Sequence, residues 1–275
     1  VASPRFINSY GGTVMLKYEM RRAFGKFFWI AFLVGVVSGS GGFVSYLLDS
    51  EYLPAQSISC FDAWLYCVSV GEGSFYRAIY PIVICLPYIF TFYTDQNSTF
   101  IYFLLSRESY RDYLKNKCFS GCISTISLVL GVNIVWLIVA YILFPANKPI
   151  TIFNLQMGGI YNWLYPNSPL VYIWIQIAFS ILFSIAFFAV SGLLAFLSNK
   201  KWQTAVLPFA IYFLSIFLSQ FFDEPFLNPV SYLIPYETSK LSISNILFGD
   251  MMLLLIGAGG IFFYYIKRKE EVLWI

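Results

Sequence analysis

The chain has 275 residues, of which 59% are hydrophobic, 21% aromatic and only 11% charged, with a net charge of +3 and a mean hydropathy of +0.71. A soluble domain carries about 25% charged residues, so these values exclude a soluble fold, and so small a positive excess does not make a nucleic-acid surface. Histidine is absent, which excludes His-ligated zinc or haem and Ser-His hydrolysis unless a partner supplies the imidazole.

The first predicted element is a basic amphipathic helix. Leu16, Met20, Ala23, Phe24 and Phe27 recur at i, i+4, i+7, i+8 and i+11, a single helical stripe, while Lys17, Arg21, Arg22 and Lys26 lie off it. This pattern places a helix on the inner membrane surface with its basic side on lipid headgroups. A plain flanking anchor for the next element fits the same residues equally well. An apolar run at 27–48 follows, and about 20 apolar residues cross a bilayer core as a helix. No small-residue cleavage pattern comes after it, so it reads as a retained span and not a signal peptide. Gly35 and Gly39 form a small-xxx-small pair within it, which lets helices approach closely, within the bundle or between subunits.

Between this span and the next, residues 49–76 hold Phe61, Trp64, Leu65 and Tyr66, read as a short interfacial helix. Cys60 and Cys67 lie in the same segment. Their spacing permits a disulfide in an oxidising compartment without requiring one. The second span, 78–94, has Arg77 at its external border, contains Pro81 and Pro87, which should kink it, and leads into Asp95. The longest connection on the basic side, 95–117, follows. Phe103, Tyr110 and Leu114 form one helical side there, and Glu108–Arg111 and Asp112–Lys115 are spaced for i, i+3 ion pairs. This is either a docking helix for a soluble protein or a solvated surface helix. Spans at 118–144, 171–197, 204–221 and 246–266 complete the chain, with Pro208 in the fifth and Asp250 opening the sixth beside Gly249. Cys85, Cys118 and Cys122 lie in spans, where cysteine is ordinarily a small buried hydrophobe.

The basic residues fix the predicted orientation. Of 17, all but Arg77, Lys148 and Lys240 fall in alternate connections or at the two ends, and Lys/Arg-rich short loops stay cytoplasmic. The expected fold is therefore an all-α membrane protein forming one transmembrane domain over 1–275, with six transmembrane helices and both termini cytoplasmic. No carboxylate is expected at mid-membrane, which argues against a proton- or sodium-coupled carrier.

The layout also resembles a known family. Tyr18-Glu19-Met20-Arg21-Arg22 precedes the first span, the kinked second span ends at Asp95, and Ser106-Arg107 and Tyr113-Leu114-x-x-Lys117 lead into the third. Together these look like the ABC-2 type permeases, the membrane subunits of type V ABC exporters. The resemblance covers the whole chain in topology, although its motifs are tendencies and not signatures. It implies that 99–115 is the coupling helix, with Phe103, Arg107, Glu108, Tyr110, Arg111, Leu114 and Lys115 docking on an ATPase. It implies that Leu16, Met20, Arg21, Arg22 and Phe24 brace it as the interfacial helix.

No G-x-x-x-x-G-K-[ST] phosphate loop occurs in the chain. The resemblance therefore puts ATP and magnesium on a separate pair of ATPase subunits and makes this chain non-catalytic. It further implies a second, identical or related permease chain, membrane lipids as neighbours, and the cytoplasmic membrane of a bacterium as the location. The aromatic content suits an amphiphilic cargo such as a hydrophobic or antimicrobial peptide. A lipid-linked or polysaccharide cargo, and a non-transporting assembly or sensor subunit, stay open as alternatives.

Overall fold

The computed structural model describes residues 15–51, 58–68, 74–96, 110–149, 160–235 and 241–272. Among them there are helices and turns and no strand, and six helical stretches are long and apolar enough to cross a membrane. In hydrocarbon the backbone must bond to itself, which is why long apolar runs become helices. Helix α1 covers 15–23 and bends at Phe24 and Gly25 into α2, Lys26–Ser50. Then come α3 (Cys60–Val68), α4 (Tyr76–Cys85), α5 (Ile89–Gln96) and α6 (Tyr110–Leu143). Helices α7 (Pro169–Leu197), α8 (Gln203–Phe222), the short α9 (Pro229–Leu233) and α10 (Ile243–Val272) complete the bundle.

The two prolines of the second span act differently. Pro87 lies in the turn that separates α4 from α5, whereas Pro81 stays inside α4. A proline cannot donate to the carbonyl four residues back, so Pro81 makes no helical bond to the Arg77 carbonyl. The hydroxyl of Tyr212 on α8 donates to it at 2.9 Å. The bond that Pro81 cannot make is thereby replaced by one that ties α4 to α8.

Helix α3 departs from expectation. It exists, but every one of its residues is buried, so it is not an interfacial helix. The Phe75 N–H donates to the Ser38 carbonyl at 2.9 Å, and Ser38 is the middle residue of α2. The second span therefore begins about half-way along the first, and α3 fills the space above it. Arg77 consequently sits near mid-height of α2 and not at the bundle border.

Close approach to α3 depends on Gly42, where a Cβ would overlap the Tyr66 carbonyl. The expected glycine pair works inside the bundle against α6. A Cβ at Gly35 would press on Val132, and one at Gly39 would overlap the Trp136 ring, whose indole N–H donates to the Val36 carbonyl at 3.0 Å.

Both cysteines of this region are free and buried, so the bridge that their spacing left open is not formed. They stand seven residues apart on one helix, an axial separation of about 10 Å, while a disulfide needs Cα atoms within about 7 Å. Burial also pushes the Cys60 thiol up to about 11, so it is un-ionised near neutral pH.

Asp62 sits on the same helix. Burial pushes its carboxyl up to about 6, against a hydrogen bond from the Tyr165 hydroxyl that acts the other way, at 2.6 Å. A carboxyl raised in the folded state favours folding while protonated; that benefit is complete below the unfolded value near 4 and is lost as pH rises through about 6. The Asp62→Asn variant should gain on the wild type by on the order of 3 kcal/mol between pH 4 and 7. Unfolding midpoints in mild detergent across that range check this. A difference independent of pH would contradict it.

The centre of the bundle is α7. Ser180, Ser184 and Ser191 donate back to carbonyls four residues earlier and also face α4, where Tyr80 meets Ser184 and Cys85 meets Ser191. Small polar residues let two helices approach and bond across the gap. Helix α10 packs on the opposite side, with Gly257 against the Ala189 backbone and Gly260 against Leu193.

Candidate functional site

At one end of the bundle four charged residues from three separated segments converge. Glu19 and Arg22 come from α1, Asp95 from the last turn of α5, and Lys117 from the third turn of α6. Glu19 and Lys117 are 0% exposed and Asp95 is 2% exposed. The Arg22 guanidinium forms a two-pronged pair with Asp95 at 2.8 and 2.7 Å and reaches Glu19 at 3.2 Å. The Lys117 ammonium is paired with the same Asp95 carboxylate. Two acids thus face two bases, and burial is tolerable because each charge is paired and hydrogen-bonded.

Tyrosines complete the cluster. Tyr113 donates to Asp95 at 2.8 Å, and Tyr88, in the turn made by Pro87, donates to Glu19. The Lys117 ammonium lies 5.0–5.4 Å from the ring centres of Tyr88, Phe92 and Tyr113, close enough for cation–π attraction. Ser124 of α6 adds a bond to the Ala23 carbonyl at 3.1 Å. Helix α1, the turn at Pro87 with the α5 half of the second span, and α6 are therefore locked to one another at a single point.

Geometrically, this point closes a loop. Asp95 ends the second span and Tyr113 and Lys117 begin the third, so the segment 97–109 leaves and returns within one hydrogen-bonded cluster. The segment itself lies outside the described residues. The bracket that holds it is rigid by construction, since bidentate Arg–carboxylate pairs fix direction as well as distance.

The same geometry relocates several expected residues. Glu19 and Arg22 turn inward, so the buried stripe of α1 is Met15, Glu19 and Ala23. Leu16, Met20 and Phe24 are half-buried beside it, and Arg21 stays exposed. Phe103, Arg107 and Glu108 lie outside the described residues, and the Tyr110 side chain is likewise not described. Residues from Tyr110 onward are the first turns of α6 and not a separate helix, with Leu114 buried and Arg111 and Lys115 exposed.

A second polar group lies deeper. Asp250 was expected to open the last span, but α10 starts at Ile243, so Asp250 stands two turns inside it. It is 5% exposed and neither carboxylate oxygen has a hydrogen-bond partner. It therefore lies deeper than the expected mouth of the last span, though not half-way along its helix. Gln176 on α7 is also buried with both amide atoms unpartnered.

No family model, curated protein or solved structure matches this chain. The charge cluster itself thus carries the functional argument. From the sequence, Asp95 and Lys117 are the ends of a connection, Glu19 and Tyr113 enter only through the family likeness, and Tyr88 is missed. One signal was available: acids and bases at the edges of apolar runs that face each other across a connection, Asp95 opposite Lys117.

Proposed function

We propose that the chain is the membrane-spanning subunit of an ATP-driven exporter, with ATP hydrolysis on a separate pair of ATPase subunits. The observation that carries this reading is the bracket around 97–109. A partner that pushed on that segment would act on Asp95 and on the Tyr113–Lys117 turn together, and through Arg22 on α1. Force would then reach the first three spans as a unit. Energy has to come from outside the chain, which carries no phosphate loop. The membrane subunit itself does no catalysis and acts with a second identical or related copy around an amphiphilic cargo such as a hydrophobic peptide. Multi-pass placement in a bacterial cytoplasmic membrane, basic end inward, follows from the charge asymmetry and the family likeness.

The test is association. Purified gently from native membranes, the chain should carry a phosphate-loop ATPase. Charge reversal at Arg107 and Arg111 should lose that subunit while membrane insertion is unchanged. Unchanged association in the reversed variant, or a chain that purifies with no ATPase at all, would sink the reading.

A second reading rests on Asp250. A buried, unpartnered carboxylate between spans is what a proton-driven carrier uses. The two readings separate in sealed vesicles: export driven by ATP on the partner supports the first, and export driven by a pH gradient alone, lost in Asp250→Asn, supports the second.

A further inference from the structure

A cleft of about 730 Å³ opens between α6, α7 and α10 at the same end of the bundle as the charge cluster. One face of α6 forms a wall: Arg111, Lys115, Cys118 and Cys122 recur at i, i+4, i+7 and i+11 and all line it. The first two are exposed cations and the next two are half-buried thiols, so the wall passes from charged to apolar within three turns. Small residues on the facing helices, Gly192 of α7 and Ala258 of α10, leave the space. The rest of the lining is almost wholly apolar.

Size and charge together select the occupant. Sites of about 300–1,000 Å³ hold single small ligands, so the cleft takes one chain-like molecule and not a folded peptide. From Arg111 to Cys122 the helix rises about 16 Å, close to half of a bilayer core of about 30 Å. The cleft is therefore one leaflet deep. An apolar slot of that depth with two cations at its mouth is complementary to an amphiphile bearing a negative head and a single-leaflet tail.

We propose that the cleft is a binding site for one anionic glycerophospholipid of the leaflet at the basic end. Arg111 and Lys115 hold its phosphate, and one acyl chain lies along Cys118 and Cys122 toward Ala258. The site does not rest on the exporter reading; because Arg111 and Lys115 are also expected to dock an ATPase, lipid protection is read on the chain without that partner, so the two readings fail separately.

The two cleft thiols make the test direct. The intact chain is placed in nanodiscs of phosphatidylglycerol or of phosphatidylcholine, and modification of Cys118 and Cys122 by a small apolar maleimide is followed by peptide mapping. Cys60, Cys67 and Cys85 are buried and serve as controls that stay unmodified while the protein is folded. Modification should be at least about tenfold slower in the anionic lipid, the size of preference that two basic contacts to an anionic headgroup give. In Arg111→Gln/Lys115→Gln, both exposed positions that leave the core untouched, the two lipids should protect alike. Native mass spectrometry should find one retained phosphatidylglycerol on the wild type and none on the double variant. Equal rates in the two lipids for the wild type would overturn the proposal. So would protection that depends on protein density and not on headgroup, because a second copy would then be covering the cleft.

Discussion

Replacing Asp95 with asparagine is expected to destabilise the chain by about 3–5 kcal/mol, the range seen when one member of a buried ion pair is removed. The reason lies in how many groups converge on one carboxylate. Arg22 bonds both of its oxygens, while Lys117 and Tyr113 share one. Asparagine is close in shape but brings no charge and presents N–H donors to at least one cation. Two bases would then face a single acid, Glu19, and Lys117 is 0% exposed, so water cannot take over. Removing a cation as well should recover part of the loss: Asp95→Asn/Lys117→Met rebalances the cluster to one acid and one base. Unfolding midpoints of the two single variants and the double, combined as a mutant cycle, measure this. Additive losses would mean that the two groups are not coupled.

The second large effect is expected at Gly42. Alanine there puts a methyl group onto the Tyr66 carbonyl and the Cys67 amide. These are backbone atoms of α3, and that helix cannot retreat cheaply. The Cys60 N–H is bonded to the Pro145 carbonyl, and Tyr66 donates to Asp49 at 2.9 Å. Overpacking in a core costs about 1–3 kcal/mol and sometimes more; the rigid neighbour puts Gly42→Ala at the upper end, and Gly42→Val beyond it. Gly259 supplies the contrast, because nothing lies within 4 Å of a Cβ there. Gly259→Ala should be neutral or slightly stabilising through its better helix propensity. Thermal unfolding in detergent ranks the three variants, and equal effects at Gly42 and Gly259 would contradict the packing argument.

Much of the architecture was legible in the sequence because bilayer thickness translates directly into run length. The six apolar runs fall within the six helices long and apolar enough to cross a membrane, to within a few residues except at the starts of the first, which runs back to Met15, and of the third. That helix is already formed at Tyr110, since 111–117, with four charged residues, continue the helical turn, and hydropathy sees only where charge stops. Hydropathy was also blind to α3. Nine residues are too few to cross the membrane, so they read as interfacial. What buries them is the deep start of α4 against Ser38, a tertiary fact.

The charge cluster was half visible for the same reason. Glu19 and Arg22 lie on a helix whose apolar stripe predicts a surface role. Lys117 resembles any basic residue flanking a span. Only the fold brings Asp95 within reach of both, which turns three apparent anchors into one buried network. Asp250 was misplaced because the edge of its apolar run lies after the true helix start, so a residue two turns inside α10 looked like its mouth.

On the proposed function, this network carries motion from a partner ATPase into the spans. Hydrogen exchange on the complex of chain and ATPase, with and without trapped ATP, tests it most directly. Backbone amides of α1, of the turn around Asp95 and of 113–117 should change protection together on nucleotide binding. They should do so no longer in Asp95→Asn/Lys117→Met, even while its ATPase subunit remains bound. A wild-type complex that turns over ATP with no change in these three segments would contradict the account.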